Sequence, residues 1–130
     1  MRTIGLIGGM SWESTALYYQ IINREVARRV GGLTSAPLSL VSLNFQDIAD
    51  RQKAGDWAGM AGILSQAAQR LEQSGADCVL IGTNTMHRVA EEVQSATLVP
   101  LLHIADITAD AIERAGLSTC LLYTSDAADE

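Results

Sequence analysis

The segment Thr83-Asn84-Thr85-Met86-His87 brings two hydroxyls, an amide and an imidazole together on consecutive positions of the chain. It follows directly after the apolar run Cys78-Val79-Leu80-Ile81-Gly82, which is typical of a buried strand. The carboxyl ends of parallel strands open onto the ligand-binding crevice of an α/β sheet. We therefore predict that the hydroxyl and amide side chains of Thr83, Asn84 and Thr85 lie at a ligand-binding edge of the sheet.

A second polar corner follows the first apolar run, where Gly8 and Gly9 lead into Met10 and Ser11. Glycine allows a tight turn and a close approach of the backbone to a ligand. The N–H groups that start the next helix favour a carboxylate or phosphate. The spacing is not G-x-G-x-x-G and the P-loop lysine is absent, so neither nucleotide motif is predicted. Two such corners on one sheet edge predict a pocket for a small anion.

Both corners also have a purely structural interpretation. A Gly-Gly turn such as Gly8-Gly9 more often serves packing than binding, and Ser11 suits a helix cap. Asn84 and Thr85 would equally serve as an N-cap pair that meets no ligand. Both interpretations stay open at the level of sequence.

Further candidates for the same edge are less specific. His87 lies one helical turn after Thr83 and is either a proton carrier or a packing residue. His103 ends a predicted strand and is a third candidate. Gln52 and Arg51 lie on a short predicted helix from which they can reach the edge, although Arg51 is equally suited to solvent.

Composition restricts the class of protein. At 130 residues the chain is long enough for one domain, and 48% apolar with 18% charged residues is ordinary for a soluble protein. A net charge of -6 argues against nucleic-acid binding. Cys78 and Cys120 lie in apolar runs and are expected to be buried reduced thiols. With no signal peptide or membrane span in the sequence, we expect a cytoplasmic protein.

Apolar runs and helical patterns alternate along the whole chain. The predicted strands cover residues 3–7, 37–43, 77–82 and 98–104, and a fifth begins near Ser118. The predicted helices cover residues 12–30, a short segment around 48–52, residues 57–74, a segment that turns Met86, Val89 and Val93 inward, and residues 107–115. This alternation predicts right-handed βαβ units, and hence an α/β fold with a three-layer, flavodoxin-like parallel sheet flanked by helices.

The last residues of the chain break this pattern. A strand that starts near Ser118 should lead into another helix, yet the sequence continues with small and acidic residues. One interpretation is a natural frayed terminus. The other, which we favour, is a non-native tail over residues 118–130, because the string resembles translated sequencing-adapter sequence.

Taken together, the polar corners resemble those of the aspartate/glutamate racemase family, the cofactor-independent amino-acid racemases. The resemblance is collinear, runs from residue 1 to about residue 116, and is closest to the broad-specificity or L-aspartate/L-glutamate-specific branch. The matching segments are Ile4-Gly5-Leu6-Ile7-Gly8-Gly9-Met10-Ser11-Trp12-Glu13-Ser14-Thr15, Gly31-Gly32-Leu33-Thr34-Ser35-Ala36, Gly55-Asp56-Trp57, Thr83-Asn84-Thr85-Met86-His87 and Leu101-Leu102-His103-Ile104-Ala105-Asp106.

The resemblance implies a two-domain enzyme with the substrate in the cleft between similar α/β domains. Each domain offers one acid/base residue, normally a cysteine, and the two act on opposite faces of the α-carbon without pyridoxal phosphate or metal. Residues 1–117 would then be the N-terminal domain, and the second domain is absent. The substrate would be a dicarboxylic amino acid, and the full-length parent a homodimer.

Site residues follow from the same resemblance. Thr83 stands where the family's first cysteine is usual, so it would be the catalytic residue of this half. A threonine hydroxyl is a far weaker acid than a thiol, so Thr83 would act as a proton donor or relay in one direction. The substrate-binding residues would be Met10, Ser11, Gln52, Asn84 and Thr85.

Two alternatives remain beside an aspartate or glutamate racemase. Another isomerase of the superfamily, of the hydantoin racemase or maleate isomerase type, usually carries a cysteine at the position of Thr83. A non-catalytic fragment that binds dicarboxylates weakly is the other. For the isolated chain we expect no activity, because half a cleft cannot place groups on both faces of one carbon.

Overall fold

A computed structural model describes residues 1–119 as a parallel sheet with helices on both faces. The strands lie in the order β2-β1-β3, and they are β1 (Ile4–Gly8), β2 (Leu38–Ser42) and β3 (Cys78–Ile81). Both neighbours of the central strand are parallel to it. The predicted α/β class and the first three predicted strands are therefore confirmed.

Residues 1–119 also form five α-helices and one short 3-10 helix, of which the first three along the chain connect the strands and the others follow β3. They are α1 (Trp12–Val30), α2 (Phe45–Lys53), α3 (Trp57–Gln73), the 3-10 helix Thr85–Val89, α4 (Ala90–Ser95) and α5 (Ile104–Arg114). Four begin at a residue whose side chain accepts a backbone N–H of the first turn: Ser11 for α1, Asn44 for α2, Asp56 for α3 and His103 for α5. The helix predicted to turn Met86, Val89 and Val93 inward is confirmed, and all three are buried.

Helices α1 and α3 cover opposite faces of the sheet. A Cβ atom added to Gly5 would contact Leu71 of α3, whereas one added to Gly8 would contact Thr15 of α1. Residues 5 and 8 point to opposite faces because side chains alternate along a strand. The larger core lies on the α3 face, where α2, α3 and α4 pack on the sheet, and its fully buried members are Ile7, Ile48, Met60, Leu64, Leu71, Val79, Ile81, Met86 and Val93.

The α1 face of the sheet is less covered. Thr15 is the buried residue of α1, while Leu17, Ile21 and Val30 stay more than half exposed. The apolar periodicity of this segment therefore predicts the helix but not its burial. Between residues 1 and 119, no helix is both long enough and apolar enough to cross a membrane.

The strand predicted over residues 98–104 is wrong. It is reduced to one parallel bridge between Leu101 and Val79. Two hydrogen bonds hold it, from Val79 N–H to the Pro100 carbonyl at 2.9 Å and from Leu102 N–H to the Val79 carbonyl at 2.9 Å. Pro100 has no N–H to extend the ladder, and α5 begins almost at once.

The fifth predicted strand falls at the limit of the described residues. Ser118 and Thr119 are not in a strand. Cys120 and residues 121–130 of the proposed non-native tail lie outside the part of the chain that the structure describes.

Candidate functional site

A cleft of about 200 Å³ opens at the carboxyl end of the sheet, between the ends of β1 and β3 and helix α2. Four of the six predicted site residues line it: Met10, Gln52, Thr83 and Thr85. Ser11 and Asn84 do not. The lining also includes three apolar residues that sequence reasoning did not single out as site residues, Phe45, Ile48 and Met86.

The end of β3 delivers Thr83 to this cleft. Gly82 donates its N–H to the Ile7 carbonyl at 2.8 Å, which continues the pairing with β1 by one residue. A Cβ on Gly82 would lie 3.0 Å from that carbonyl oxygen, so glycine permits the close approach. The next residue, Thr83, leaves the ladder half-buried at the wall of the cleft.

The polar side chains of this second corner have no partner within the chain. Among residues 1–119, no hydrogen bond reaches the side chain of Thr83, Asn84, Thr85 or Gln52, and His87 contacts only the carbonyl oxygens of Thr83 and Asn84. Asn84 occupies the cap position of the 3-10 helix without a side-chain cap bond. The N-cap interpretation is therefore not supported for Asn84, and these groups are free to bind a ligand.

The polar groups of the first corner form hydrogen bonds with one another and with neighbouring main chain. Gly9 donates its N–H to the Thr15 hydroxyl oxygen at 2.9 Å, and that hydroxyl donates to the Ser11 carbonyl at 3.2 Å. Leu43 donates its N–H to the Gly8 carbonyl at 2.8 Å. The glycines therefore serve close packing, and what reaches the cleft from this corner is the buried Met10 side chain.

Ser11 is occupied as a helix cap. Its hydroxyl oxygen accepts the Ser14 N–H at 3.5 Å, and the hydroxyl donates to a Glu13 carboxylate oxygen at 2.8 Å. The cap interpretation of Ser11 is correct. A ligand carboxylate at this corner would meet main-chain amides at the start of α1 in preference to the Ser11 hydroxyl.

No ionisable side chain of residues 1–119 lines the cleft. Arg51, beside Gln52, forms an ion pair with Asp56 at the start of α3 instead of reaching over the edge. The Gly59 N–H, and then the Arg51 guanidinium, lower the pKa of Asp56. Charge on a ligand would therefore be met by hydroxyls, amides and the positive end of the α1 dipole.

The two histidines lie together behind the cleft, with ring centroids 4.7 Å apart. His87 Nδ1 lies 2.9 Å from the Thr83 carbonyl oxygen, and its Nε2 lies 3.4 Å from the Ile104 nitrogen. Burial, the largest cause, lowers the pKa of His87 from its ordinary 6.5. Both ring nitrogens contact main chain, so the ring is not presented to a ligand as a proton carrier.

Cys78 is the first residue of β3, at the opposite end of the strand from the cleft. It is only partly buried, not fully as predicted, because it lies on the less covered α1 face with Ile4, which the register places beside it. Burial, the largest cause, raises the pKa of the Cys78 thiol. Within residues 1–119, no group of three or more His, Cys, Asp or Glu residues is placed to hold a metal ion.

Comparison with known proteins places the chain among racemases. The model of the family described as Asp/Glu/Hydantoin racemase matches residues 7–130. A broad specificity amino-acid racemase, RacX of Bacillus subtilis (strain 168), is 27% identical over 124 residues, which are 93% of this chain and 54% of that protein.

Two crystal structures have the same fold. The first, a candidate Asp/Glu racemase from Yersinia pestis, is 49% identical with a TM-score of 0.87, over 89% of this chain and 50% of that one. The second, an aspartate racemase homologue from Pyrococcus horikoshii OT3, is 36% identical with a TM-score of 0.79, over 89% and 50%. The chain thus spans about half the length of the relatives that it matches.

Proposed function

The chain belongs to the Asp/Glu/hydantoin racemase family, and we propose that it is the N-terminal half of an amino-acid racemase that acts on aspartate or glutamate. The observation that carries this proposal is the cleft at the end of β3, where the Thr83 and Thr85 hydroxyls and the Gln52 amide converge without partners in the described chain. Half-length coverage of each relative supports a second domain that faces this cleft.

The reaction exchanges the two faces of one carbon. A base on the second domain removes the α-proton, and the electron pair of the broken C–H bond stays on the substrate, spread into its carboxylate. The Thr83 O–H bond then breaks as its proton adds to the opposite face, and solvent returns a proton to the oxygen. Thr85, Asn84 and Gln52, together with the main chain at Met10 and Ser11, hold the substrate and offset its growing charge.

Unequal acid strength at the two faces has a measurable signature. Thr83 rests protonated, because a threonine hydroxyl is a far weaker acid than a thiol, so it holds a proton to donate while almost no alkoxide is present to remove one. The two enantiomers have equal energy in solution, so kcat/KM must be the same in both directions. The asymmetry therefore appears in isotope exchange: one enantiomer exchanges its α-proton with solvent without inverting, and the other does not.

The test uses the full-length product of the gene, obtained by reading the locus beyond Gly116. Incubation with L-aspartate, D-aspartate, L-glutamate or D-glutamate in deuterium oxide is followed by NMR for α-deuteration and by chiral chromatography for inversion. A 5-substituted hydantoin runs alongside as the alternative substrate. If none of the four acids exchanges or inverts, the assignment to aspartate or glutamate is wrong; turnover of the hydantoin would identify the alternative.

Thr83 is tested by Thr83→Ala, with Thr83→Ser as the matched control that keeps the hydroxyl. Loss of a positioned proton donor costs about 10²–10⁴-fold in rate, and we expect Thr83→Ala to lose kcat by that amount. Thr83→Ser should retain most of kcat. Equal rates for both variants would show that the hydroxyl takes no part in the reaction.

A further inference from the structure

The protonation state of His87 follows from its contacts. Nδ1 lies 2.9 Å from the Thr83 carbonyl oxygen and 3.1 Å from that of Asn84. Carbonyl oxygens only accept hydrogen bonds, so Nδ1 carries a proton. Nε2 accepts the Ile104 N–H at 3.4 Å, so Nε2 carries none. Both sets of contacts exist together only in the neutral ring with its proton on Nδ1.

His103 completes the arrangement from the other side. It is the N-cap of α5, and its Nδ1 accepts the Ala105 N–H at 3.1 Å. That contact requires Nδ1 of His103 to be unprotonated. With ring centroids 4.7 Å apart, the two imidazoles join the loop after β3 to the first turn of α5.

The geometry points to His87 as a positioning residue: in its neutral form it fixes the main chain of Thr83 and Asn84 against the start of α5, and its protonation releases that loop. This inference rests on the proposed function, because the hydroxyl whose place depends on the loop is the proton donor proposed above. His87 itself touches no reacting atom. It acts through the position of Thr83.

Protonation of His87 breaks its contact with the start of α5 for three reasons. A proton on Nε2 would face the Ile104 N–H, turning an acceptor into a second donor. The new charge would lie at the start of α5, the positive end of the helix dipole. It would also be half-buried, and burial disfavours the charged ring. Arg88, the next residue, stacks on Trp57 at 4.2 Å instead.

The direction of the pH effect follows. Burial, the largest cause, lowers the pKa of His87 from 6.5 and outweighs the Asn84 and Thr83 carbonyls, which raise it. A histidine whose pKa is lowered by folding stabilises the folded loop fully above its unfolded pKa, and this stabilisation is lost as the pH falls from about 6.5 towards the lowered value. We therefore expect kcat to decline on the acid side within that window.

The first experiment measures the rings directly in the 130-residue chain. Long-range ¹H–¹⁵N correlation spectra recorded between pH 4 and 8 identify the tautomer and the titration midpoint of each histidine, with His87→Asn and His103→Asn used for assignment. We expect His87 as the Nδ1–H tautomer at pH 7 with a midpoint below 6.5. An Nε2–H tautomer, or a midpoint at or above the ordinary value, would overturn the inference.

The second experiment measures turnover in the full-length protein. His87→Ala removes both contacts and should lower kcat by tenfold or more with KM little changed. His87→Asn keeps a short donor towards the Thr83 carbonyl and should recover part of kcat, without the decline on acidification. Arg88→Ala is the matched control on the adjacent residue and should leave kcat and the pH profile unchanged.

The outcomes separate the two proposals. If the unsubstituted protein racemises none of the acids, the proposed function fails, and the ring measurement still decides whether His87 holds the loop. If the unsubstituted protein is active and His87→Ala keeps both its kcat and its acid decline, the positioning role is wrong.

Discussion

The two corners at the carboxyl edge of the sheet have the same topology, but they differ in whether their polar groups form hydrogen bonds within the chain. After β1, the Gly9 N–H, the Thr15 hydroxyl and the Ser11 hydroxyl all find partners in their own corner. After β3, the side chains of Thr83 and Thr85 find none among the described residues and line the cleft. The polar groups of the first corner thus bond to one another, whereas those of the second line a cleft and remain available to a ligand.

The largest effect on the closed corner is expected from Gly9→Ala. Gly9 has φ +86°, and an added Cβ would lie 2.6 Å from the Leu43 nitrogen and nearer still to its carbonyl oxygen. Gly75→Ala is the matched control, since Gly75 has φ +88° with open space around it. The left-handed conformation alone costs an alanine about 1–2 kcal/mol. In urea denaturation of the chain, Gly9→Ala should lose clearly more stability than Gly75→Ala; equal losses would mean that Leu43 moves freely aside.

The next largest effect is expected when the buried Thr15 of the first corner and the exposed Thr85 of the second are each replaced by valine. Thr15→Val leaves the buried Gly9 N–H without its acceptor at nearly unchanged shape, which costs about 1–3 kcal/mol. Thr85→Val removes a hydroxyl that bonds to no described residue and should change the free energy of unfolding by less than about 0.5 kcal/mol. In the full-length protein, Thr85→Val should raise KM instead. A stability loss at Thr85 equal to that at Thr15 would erase the distinction between the corners.

The smallest effect on stability is expected at the two helix-cap positions, Ser11 and Asn84. Ser11→Ala removes a side-chain cap whose bond is long, 3.5 Å, so we expect a loss of about 0.5–1 kcal/mol. Asn84→Ala removes no cap bond and should leave the unfolding midpoint in place. The measurement is again urea denaturation followed by circular dichroism. Destabilisation by Asn84→Ala would restore the cap interpretation that the structure does not support.

Much of the fold could be predicted from the sequence, because in most elements the residues of the apolar pattern are also the buried ones. In α3, the apolar spacing of Met60, Leu64 and Leu71 predicts both the helix and its buried face. In α1 the same kind of spacing predicts the helix alone, since Leu17 and Ile21 stay exposed. Periodicity reports which face is apolar, and only tertiary packing decides whether that face is covered.

Sequence reasoning also expected the site at the sheet edge where the structure has a cleft, and the differences between expectation and structure there have a physical cause. Thr83 and Thr85 follow a strand end, which topology locates. The neutral apolar wall of Phe45, Ile48 and Met86 was missed as part of the site, because helix packing brings it in from distant segments. No sequence signal shows that the Ser11 hydroxyl is already engaged or that His87 faces main chain.

The outer edge of β3 has a consequence of its own. Val79 is covered there by Pro100 and Leu102, but the peptide groups of Ile81 point the same way and meet no backbone partner within residues 1–119. Ile81 is only 2% exposed, so no further strand can pair with this border unless the groups that cover it move aside. Because Thr83 follows two residues later, the backbone at the mouth of the cleft is paired with a strand on one side only, through Gly82 and β1.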